Sequence, residues 1–328
     1  MIDFGFTNYF ETCFDHKKVL GCSAYIYMKA NMTKWKLRVK KIVHQYGRSI
    51  VACVCLFVII FLLTKIYSLS TTGTLRVSFL DVGQGDAILI QTPNGKDMLI
   101  DGGPTDVILE RLSHEMKFFD RTIDVVVATH PDADHVTGLI PVLEHYDVKK
   151  VIMSPRSGDT GIFEDLDKHI NSEHTEVHVA HTGDMIDFGD GVTARVVYPS
   201  SNYDVRSGDT NDASVSMVVT YGDETFLLTG DLPSTHEGEL IGSGIPRAIT
   251  VYKAGHHGSK YSSGDQLLSY IRPEYAVISV GKDNKYGHPN PETLDRLQKY
   301  AKEIISTIDR GTITFLTDGK MMEVKTSK

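Results

Sequence analysis

A run of apolar residues near the start of the chain sets the strongest limit on how it can fold. From Ser49 to Leu69 it reads SIVACVCLFVIIFLLTKIYSL, about the ~20 residues that an α-helix needs to cross a hydrocarbon layer. Lys65, its one charge, lies close enough to the end to snorkel. The stretch Lys29 to Arg48 holds seven Lys or Arg and no Asp or Glu, whereas the flank after the run is uncharged until Arg76. Because basic flanks stay on the cytoplasmic side, this asymmetry predicts a basic cytoplasmic segment over 1–48, a single transmembrane anchor over 49–69 and an extracellular domain over 75–328. A cleaved signal peptide is the competing reading. It is weaker because the apolar run is long for that role and no A-x-A-like site follows it. The stretch from Met32 (MTKWKLRVKK) reads as a conventional short cytoplasmic head, which makes Met32 a second candidate start; otherwise residues 1–31 form a small cytoplasmic segment.

The formal charge of −8 conceals two opposite parts, since residues 1–50 carry +6 and leave −14 for residues 51–328. All four cysteines, Cys13, Cys22, Cys53 and Cys55, fall in the first 55 residues. No disulfide partner is therefore predicted for the outer domain, and its chemistry must use His, Asp, Glu, Ser or Lys. After Thr74 short β-like runs alternate with helical stretches. Strands are expected at 75–82, 87–92, 97–101, 123–130, 150–154, 176–181, 192–198, 214–221, 225–231, 248–255, 275–281 and 312–317. Helices are expected at 105–117, near 137–146, 162–171, 234–241 and 263–271, and near 291–304. Two clusters of strands, each followed by helices, suggest two sheets packed face to face with helices outside.

The densest chemical signal is His130-Pro131-Asp132-Ala133-Asp134-His135, four potential metal ligands within six residues directly after a Val/Ala/Thr strand. Strand-end loops let a rigid scaffold aim several side chains at one point. One such residue alone would be surface polarity or a helix cap, and Asp134 in particular suits an N-cap. Four together point to a metal site.

HPDADHVTG resembles the H-x-[HD]-x-D-H-x-x-G signature of the metallo-β-lactamase fold superfamily. The resemblance extends to FLDVGQGDA (79–87), LIDGG (99–103), NDAS (211–214), LTGD (228–231), HHGS (256–259) and YGHP (286–289). They occur in the order seen in the C-terminal domain of ComEC-type competence proteins and cover residues 75–318. The many-helix channel part of those proteins has no counterpart here, so the chain looks like their hydrolase-like domain on a single anchor. The resemblance implies an α/β fold, a four-layer αββα sandwich, holding two divalent metal ions, Mn or Zn with Mg possible. His130, Asp132, Asp134, His135, Asp231 and His257 become the candidate ligands, with Asp231 bridging. Asp134 and His288 are the candidate catalytic residues. Asp101, Asn211, Ser214, His256, Ser259 and Lys260 are expected to support the ligands or meet the substrate. Adjacent His256 and His257 cannot face the same way if extended, so one is expected to bind metal, and His257 is preferred. Gly83 and Gly85 read as a tight turn. His114, His145, His169, His174, His178 and His181 match no motif.

Asp132 stands where many relatives have a second His, and the Asn211–Ser214 segment where they have a third. Oxygen in place of nitrogen suits Mn²⁺ or Mg²⁺ better than Zn²⁺ and should weaken that metal position relative to the one built from Asp134, His135, Asp231 and His257. A two-metal site suits phosphoryl displacement, and the resemblance makes DNA, cut outside the cell membrane, the expected substrate. The acidic domain lacks the broad basic surface usual for nucleic acid; Lys253, Lys260, Lys282 and Lys285, flanking the HHGS and YGHP loops, offer local relief. Hydrolysis of another ester (a wall-polymer phosphoester, a lactone or a β-lactam) and a non-catalytic DNA-uptake accessory are the rival readings.

Overall fold

The computed structural model describes residues 22–70, 73–158, 160–172, 175–204 and 208–328. The part of the basic segment before residue 22 and His174 lie outside the described residues. The chain divides into two compact units with the boundary after Ser70.

The first unit is helix α1 (Cys22–Ser70). It bends by 46° between two arms, Tyr27–Gly47 and Val51–Thr64. Ser49 lies in the break and Gly47 ends the first arm, and Gly/Ser pairs are a usual cause of sharp helix kinks. Among the described residues no single helix is long and apolar enough to cross a membrane; only the bent pair passes together, so the expected single span over 49–69 is not supported as one straight helix.

The second unit holds two sheets. Strands β1 (Leu75–Phe79), β2 (Ile88–Gln91), β3 (Asp97–Ile100), β4 (Thr122–Ala128), β5 (Asp147–Met153), β6 (Glu176–Val179), β14 (Ile313–Thr317) and β15 (Met322–Thr326) form one, in the order β15-β14-β1-β2-β3-β4-β5-β6. The other contains β7 (Met185–Asp187), β8 (Val192–Tyr198), β9 (Ser216–Tyr221), β10 (Glu224–Leu228), β11 (Val251–Lys253), β12 (Tyr275–Ile278) and β13 (Glu303–Ser306), in the order β13-β12-β11-β10-β9-β8-β7. Ile88, Ile90, Met98 and Ile100 meet Met217, Val219, Phe226 and Leu228 between the sheets. The intervening Leu89, Leu99 and Val126 pack outward on α2 (Val107–Glu115), α4 (Leu139–His145) and α5 (Gly161–Ser172). On the far side Leu227, Tyr252 and Ala276 pack on α6 (Glu237–Gly242), α7 (Asp265–Ile271) and α8 (Pro291–Tyr300). Strands buried on both faces must be apolar at nearly every position, so they read as unbroken runs. The result is the expected four-layer αββα sandwich.

Three strands were not expected from the pattern. β7 and β15 are edge strands whose side chains are largely exposed, so no apolar alternation marks them. The helix expected to 304 ends at Tyr300, and Glu303–Ser306 instead pairs with β12 as the other edge strand.

β1, β3 and β4 run the same way, as do β10, β11 and β12, with β9 opposed to β10. The loops after β1, β3, β4, β10, β11 and β12 and the one before β9 therefore gather at one end. Two hydrogen bonds tie the sheets there: Val215 N–H to the Thr129 carbonyl (2.8 Å) and Gly281 N–H to Gln84 Oε1 (3.2 Å). The Gly of HPDADHVTG has a close-packing reason. A Cβ on Gly138 would lie 1.9 Å from the Gly102 carbonyl oxygen. That backbone is fixed by Gly102 N–H to His135 O (2.7 Å) and Gly138 N–H to Gly103 O (2.9 Å). Gly138→Ala should cost about 2 kcal/mol or more in urea unfolding, as overpacking does; an unchanged midpoint would show that these loops yield freely.

Candidate metal centre

β4 ends at Ala128, two residues before the strand expected to reach His130, so Thr129 and His130 leave the sheet. The short helix α3 (Ala133–Val136) begins one residue before Asp134. Asp132 therefore occupies the cap position, without a side-chain cap bond; its Oδ1 accepts instead from the Thr210 hydroxyl (2.7 Å).

Asp101 sets the geometry behind the loop. This buried carboxylate accepts from His135 Nδ1 (2.7 Å) and from the Thr129 hydroxyl (2.7 Å) and N–H (2.8 Å). The Thr129 hydroxyl has one proton and gives it to Asp101, so it can only accept from His130 Nδ1, 3.0 Å away. One carboxylate thus fixes both imidazoles with their protons on Nδ1 and leaves both Nε2 atoms facing the cavity.

His257 is prepared in the same way from the opposite sheet. Its Nδ1 donates to the Ser279 carbonyl (3.0 Å), with Asp86 Oδ1 3.3 Å away. Asp86 is itself buried and paired with the ammonium of Lys253 (2.8 Å), which also donates to the Ala254 carbonyl (2.9 Å). Lys253, expected near the substrate, is thus corrected to a buried partner of Asp86. Gly85 permits this approach, since a Cβ there would lie 2.1 Å from the Asp134 carbonyl oxygen.

Asp231 stands at the centre. Its Oδ1 is 3.4 Å from His135 Nε2, and its Oδ2 is 3.4 Å from His257 Nε2, 3.6 Å from His256 Nε2 and 4.0 Å from His130 Nε2. His256 and His257 are not extended but left-handed, φ 49° and 54°, which is why both rings reach the same carboxylate. The Ser214 hydroxyl accepts from the Asp231 N–H (3.3 Å). Asp134 Oδ2 is 3.4 Å from His257 Nε2. The fit to a cation is good: His130, His135 and Asp231, and likewise Asp134, His135 and His257, present donor atoms within 4.8 Å of one another. Among the described residues, buried His130 Nε2 and Asp231 Oδ1 have no hydrogen-bond partner.

The remaining candidates fall at the margin. Asp132 is partly exposed, with Oδ2 3.8 Å from His130 Nε2, and burial raises its carboxyl above the usual range. Asn211 shares the short turn of Thr210, and its buried Oδ1 is likewise unpartnered. His288 lines the same pocket, of about 100 Å³, with Gln84, Asp132, Asp134, Asp231, His256, His257 and Tyr286. Ser259 is buried in the loop framework, its hydroxyl accepting from Tyr261 N–H (3.3 Å), and Lys260 lies outside over the Tyr261 ring. Sequence reasoning missed Asp86 and Thr129, although both lie inside quoted motifs or beside them.

Electrostatics follow from this packing. Burial pushes His135 and His257 toward the neutral form, but Asp231, with Asp101 for the first and Asp86 for the second, outweighs it and raises both well above 6.5. Burial and the neighbouring His135 lower His130 to about 4. Burial works against ionisation of Asp231, yet His257, His135 and His256 hold its carboxyl well below the usual range. A cation bound there must displace any proton on the nitrogens that face the cavity. Metal uptake should therefore release protons, and affinity should fall as pH falls. Calorimetry in two buffers of different ionisation enthalpy reads this; uptake without proton release would contradict it.

Comparison with known proteins agrees with this geometry. A family model described as the metallo-beta-lactamase superfamily matches residues 80–165 and 205–282. ComE operon protein 3 of Bacillus subtilis is 26% identical over 274 residues, covering 78% of this chain and 34% of that protein. Recombination protein 2 of Haemophilus influenzae is 28% identical over 248 residues, 73% of this chain and 28% of that one. Competence protein ComA of Neisseria gonorrhoeae is 28% identical over 243 residues, 73% and 32% respectively. The chain spans about a third of the length of these relatives. From the signature and the half of its length that the family model covers, the chain belongs to the metallo-beta-lactamase superfamily.

Proposed function

We propose that residues 75–328 form a two-cation phosphodiesterase that acts on DNA outside the membrane. The observation that carries the reading is the buried Asp231 carboxylate, whose Oδ1 faces His135 (3.4 Å) and whose Oδ2 faces His130 (4.0 Å), imidazoles of different cation positions. His130, Asp132 and Asp231 would hold one cation, and Asp134, His135, His257 and Asp231 the other. When bound, such a pair supplies a nucleophile at neutral pH and stabilises attacking and leaving oxygens. The firm position is the second, because Asp132 is half-solvated and resists ionisation. The oxygen donors favour Mn²⁺ or Mg²⁺ over Zn²⁺.

The chain's own groups do the rest. Asp134, at the pocket wall, orients the attacking water. Burial, with His256 and His257 nearby, keeps His288 below the usual imidazole range; it serves as a neutral hydrogen-bond donor to the leaving oxygen. DNA as substrate rests on the likeness to two proteins named for competence and recombination and on the exposed Lys260, Lys282 and Lys285 beside HHGS and YGHP. The bent apolar helix α1, after its basic flank, is read as the membrane tether with the domain outside. A C-terminal tag should be clipped by protease added to intact cells, with the protein recovered in membranes; a protected tag would reverse the orientation.

Asp231→Ala should abolish hydrolysis of bis(p-nitrophenyl) phosphate and linear DNA in Mn²⁺ while circular dichroism stays native. His257→Ala should cost more than His256→Ala, because loss of a supporting contact costs ~10–100-fold whereas loss of a ligand empties the site. His178→Ala, altering a residue paired with Asp184 on edge strand β6, is the control. Full turnover by folded Asp231→Ala would refute the two-cation reading. No turnover by wild type on either phosphodiester would refute the substrate class.

A further inference from the structure

The two loops that meet at the pocket each carry a Lys–Tyr pair on the outside. Lys260-Tyr261 follows the HHGS turn, and Lys285-Tyr286 opens YGHP. Tyr261 is 65% and Tyr286 56% exposed; among the large hydrophobic rings described in this domain only Phe118 and Phe119 are more so. In each pair the ammonium rests over the ring, at 5.0 Å and 5.1 Å from the centroid.

Neither ring is exposed because its loop is loose. Tyr261 O accepts from Ser234 N–H (2.7 Å), and its loop is bound to the chain around α8 by Asn290 N–H to Gly258 O (2.9 Å), Thr293 Oγ1 to Ser259 O (2.8 Å) and Arg296 Nη2 to Lys260 O (3.1 Å). The other loop is closed on itself by Asn284, which donates to Gly281 O (3.0 Å) and His288 O (2.7 Å) and accepts from His288 N–H (3.0 Å). Tyr286 stacks on His288 (5.9 Å, 17°) and lines the pocket beside Asp231. One of these firmly held rings, Tyr286, lines the pocket, and the other, Tyr261, follows the turn that supplies His256 and His257 to it, each with a lysine over its face.

Aromatic faces with adjacent cations suit a strand whose bases are unpaired: the ring takes a base and the displaced ammonium takes a flanking phosphate. A duplex keeps its base faces stacked inside and is gripped through a broad basic surface, which the −14 of residues 51–328 does not provide. We infer that Tyr261 and Tyr286, with Lys260 and Lys285, form a stacking cradle that makes single-stranded DNA the preferred form of substrate. This deepens the phosphodiesterase reading and rests on it.

The test measures binding of the full chain in detergent to fluorescent oligonucleotides by anisotropy, in Ca²⁺, alongside hydrolysis in Mn²⁺. Single strands should bind about tenfold or more tightly than the same sequence as duplex or as an abasic strand of equal charge. Tyr286→Leu and Tyr261→Leu should each weaken single-strand binding by about fivefold or more, as loss of one stacked base does, with Tyr→Phe at either site restoring it. Equal affinity for the abasic strand, or Leu variants that bind like wild type, would overturn the cradle. If wild type binds single strands as described but hydrolyses no phosphodiester, the enclosing reading fails and the cradle stands.

Discussion

Charge withdrawn from water, and what compensates it, governs the active end of this protein. Asp86, Asp101, Asp231, His135, His257 and Lys253 are all at most 2% exposed. A single ion so placed costs several kcal/mol. Each is tolerated because it faces opposite charge or a committed hydrogen-bond donor: Lys253 on Asp86, Thr129 and His135 on Asp101, and three imidazoles on Asp231. The carboxylates around His135 and His257 favour positive charge at this point, which is the charge a cation would supply. The site is electrostatically prepared for metal before any arrives.

Two sheets make this possible. His135 belongs to the loop after β4 and His257 to the turn after β11, in different sheets, yet their Nε2 atoms come within 3.3 Å. Each is backed by its own carboxylate, Asp101 and Asp86, and Asp231 at the end of β10 lies between them. The apolar core between the sheets sets the separation, and close glycine contacts at Gly85 and Gly138 set the approach of the loops. Function in this family is a matter of what those loops carry, and here they carry carboxylates and imidazoles inside and Lys–Tyr pairs outside.

Much of this was legible from the sequence because dense motifs are local. HPDADH announces itself by spacing alone, and the continuous Val/Ile/Leu runs announce strands buried on both faces. What was missed depends on distance in the fold. Asp86 lies in a glycine-rich stretch that reads as a turn, and only the arrival of Lys253 and His257 from the other sheet gives it a task. Thr129 reads as one more β-branched strand residue until its hydroxyl is seen between Asp101 and His130. Lys253 looks like a surface lysine beside a loop because sequence carries no sign of burial by a partner more than 160 positions away. His256 and His257 were expected to diverge by the geometry of extended chain, and the left-handed turn removes that premise. The apolar run reads as one straight span, and nothing in its pattern marks the 46° bend just before Val51.

The central claim is that Asp231 lies between two cations, each also held by imidazoles whose protons point away. Anomalous diffraction at the manganese edge, from crystals of the protein grown with Mn²⁺, tests it directly. Two peaks within about 4 Å of each other, on either side of the Asp231 carboxylate and in contact with Nε2 of His130 and His257, are the expected result. A single peak that leaves Asp231 uncoordinated, or density for metal only at surface carboxylates, would contradict it.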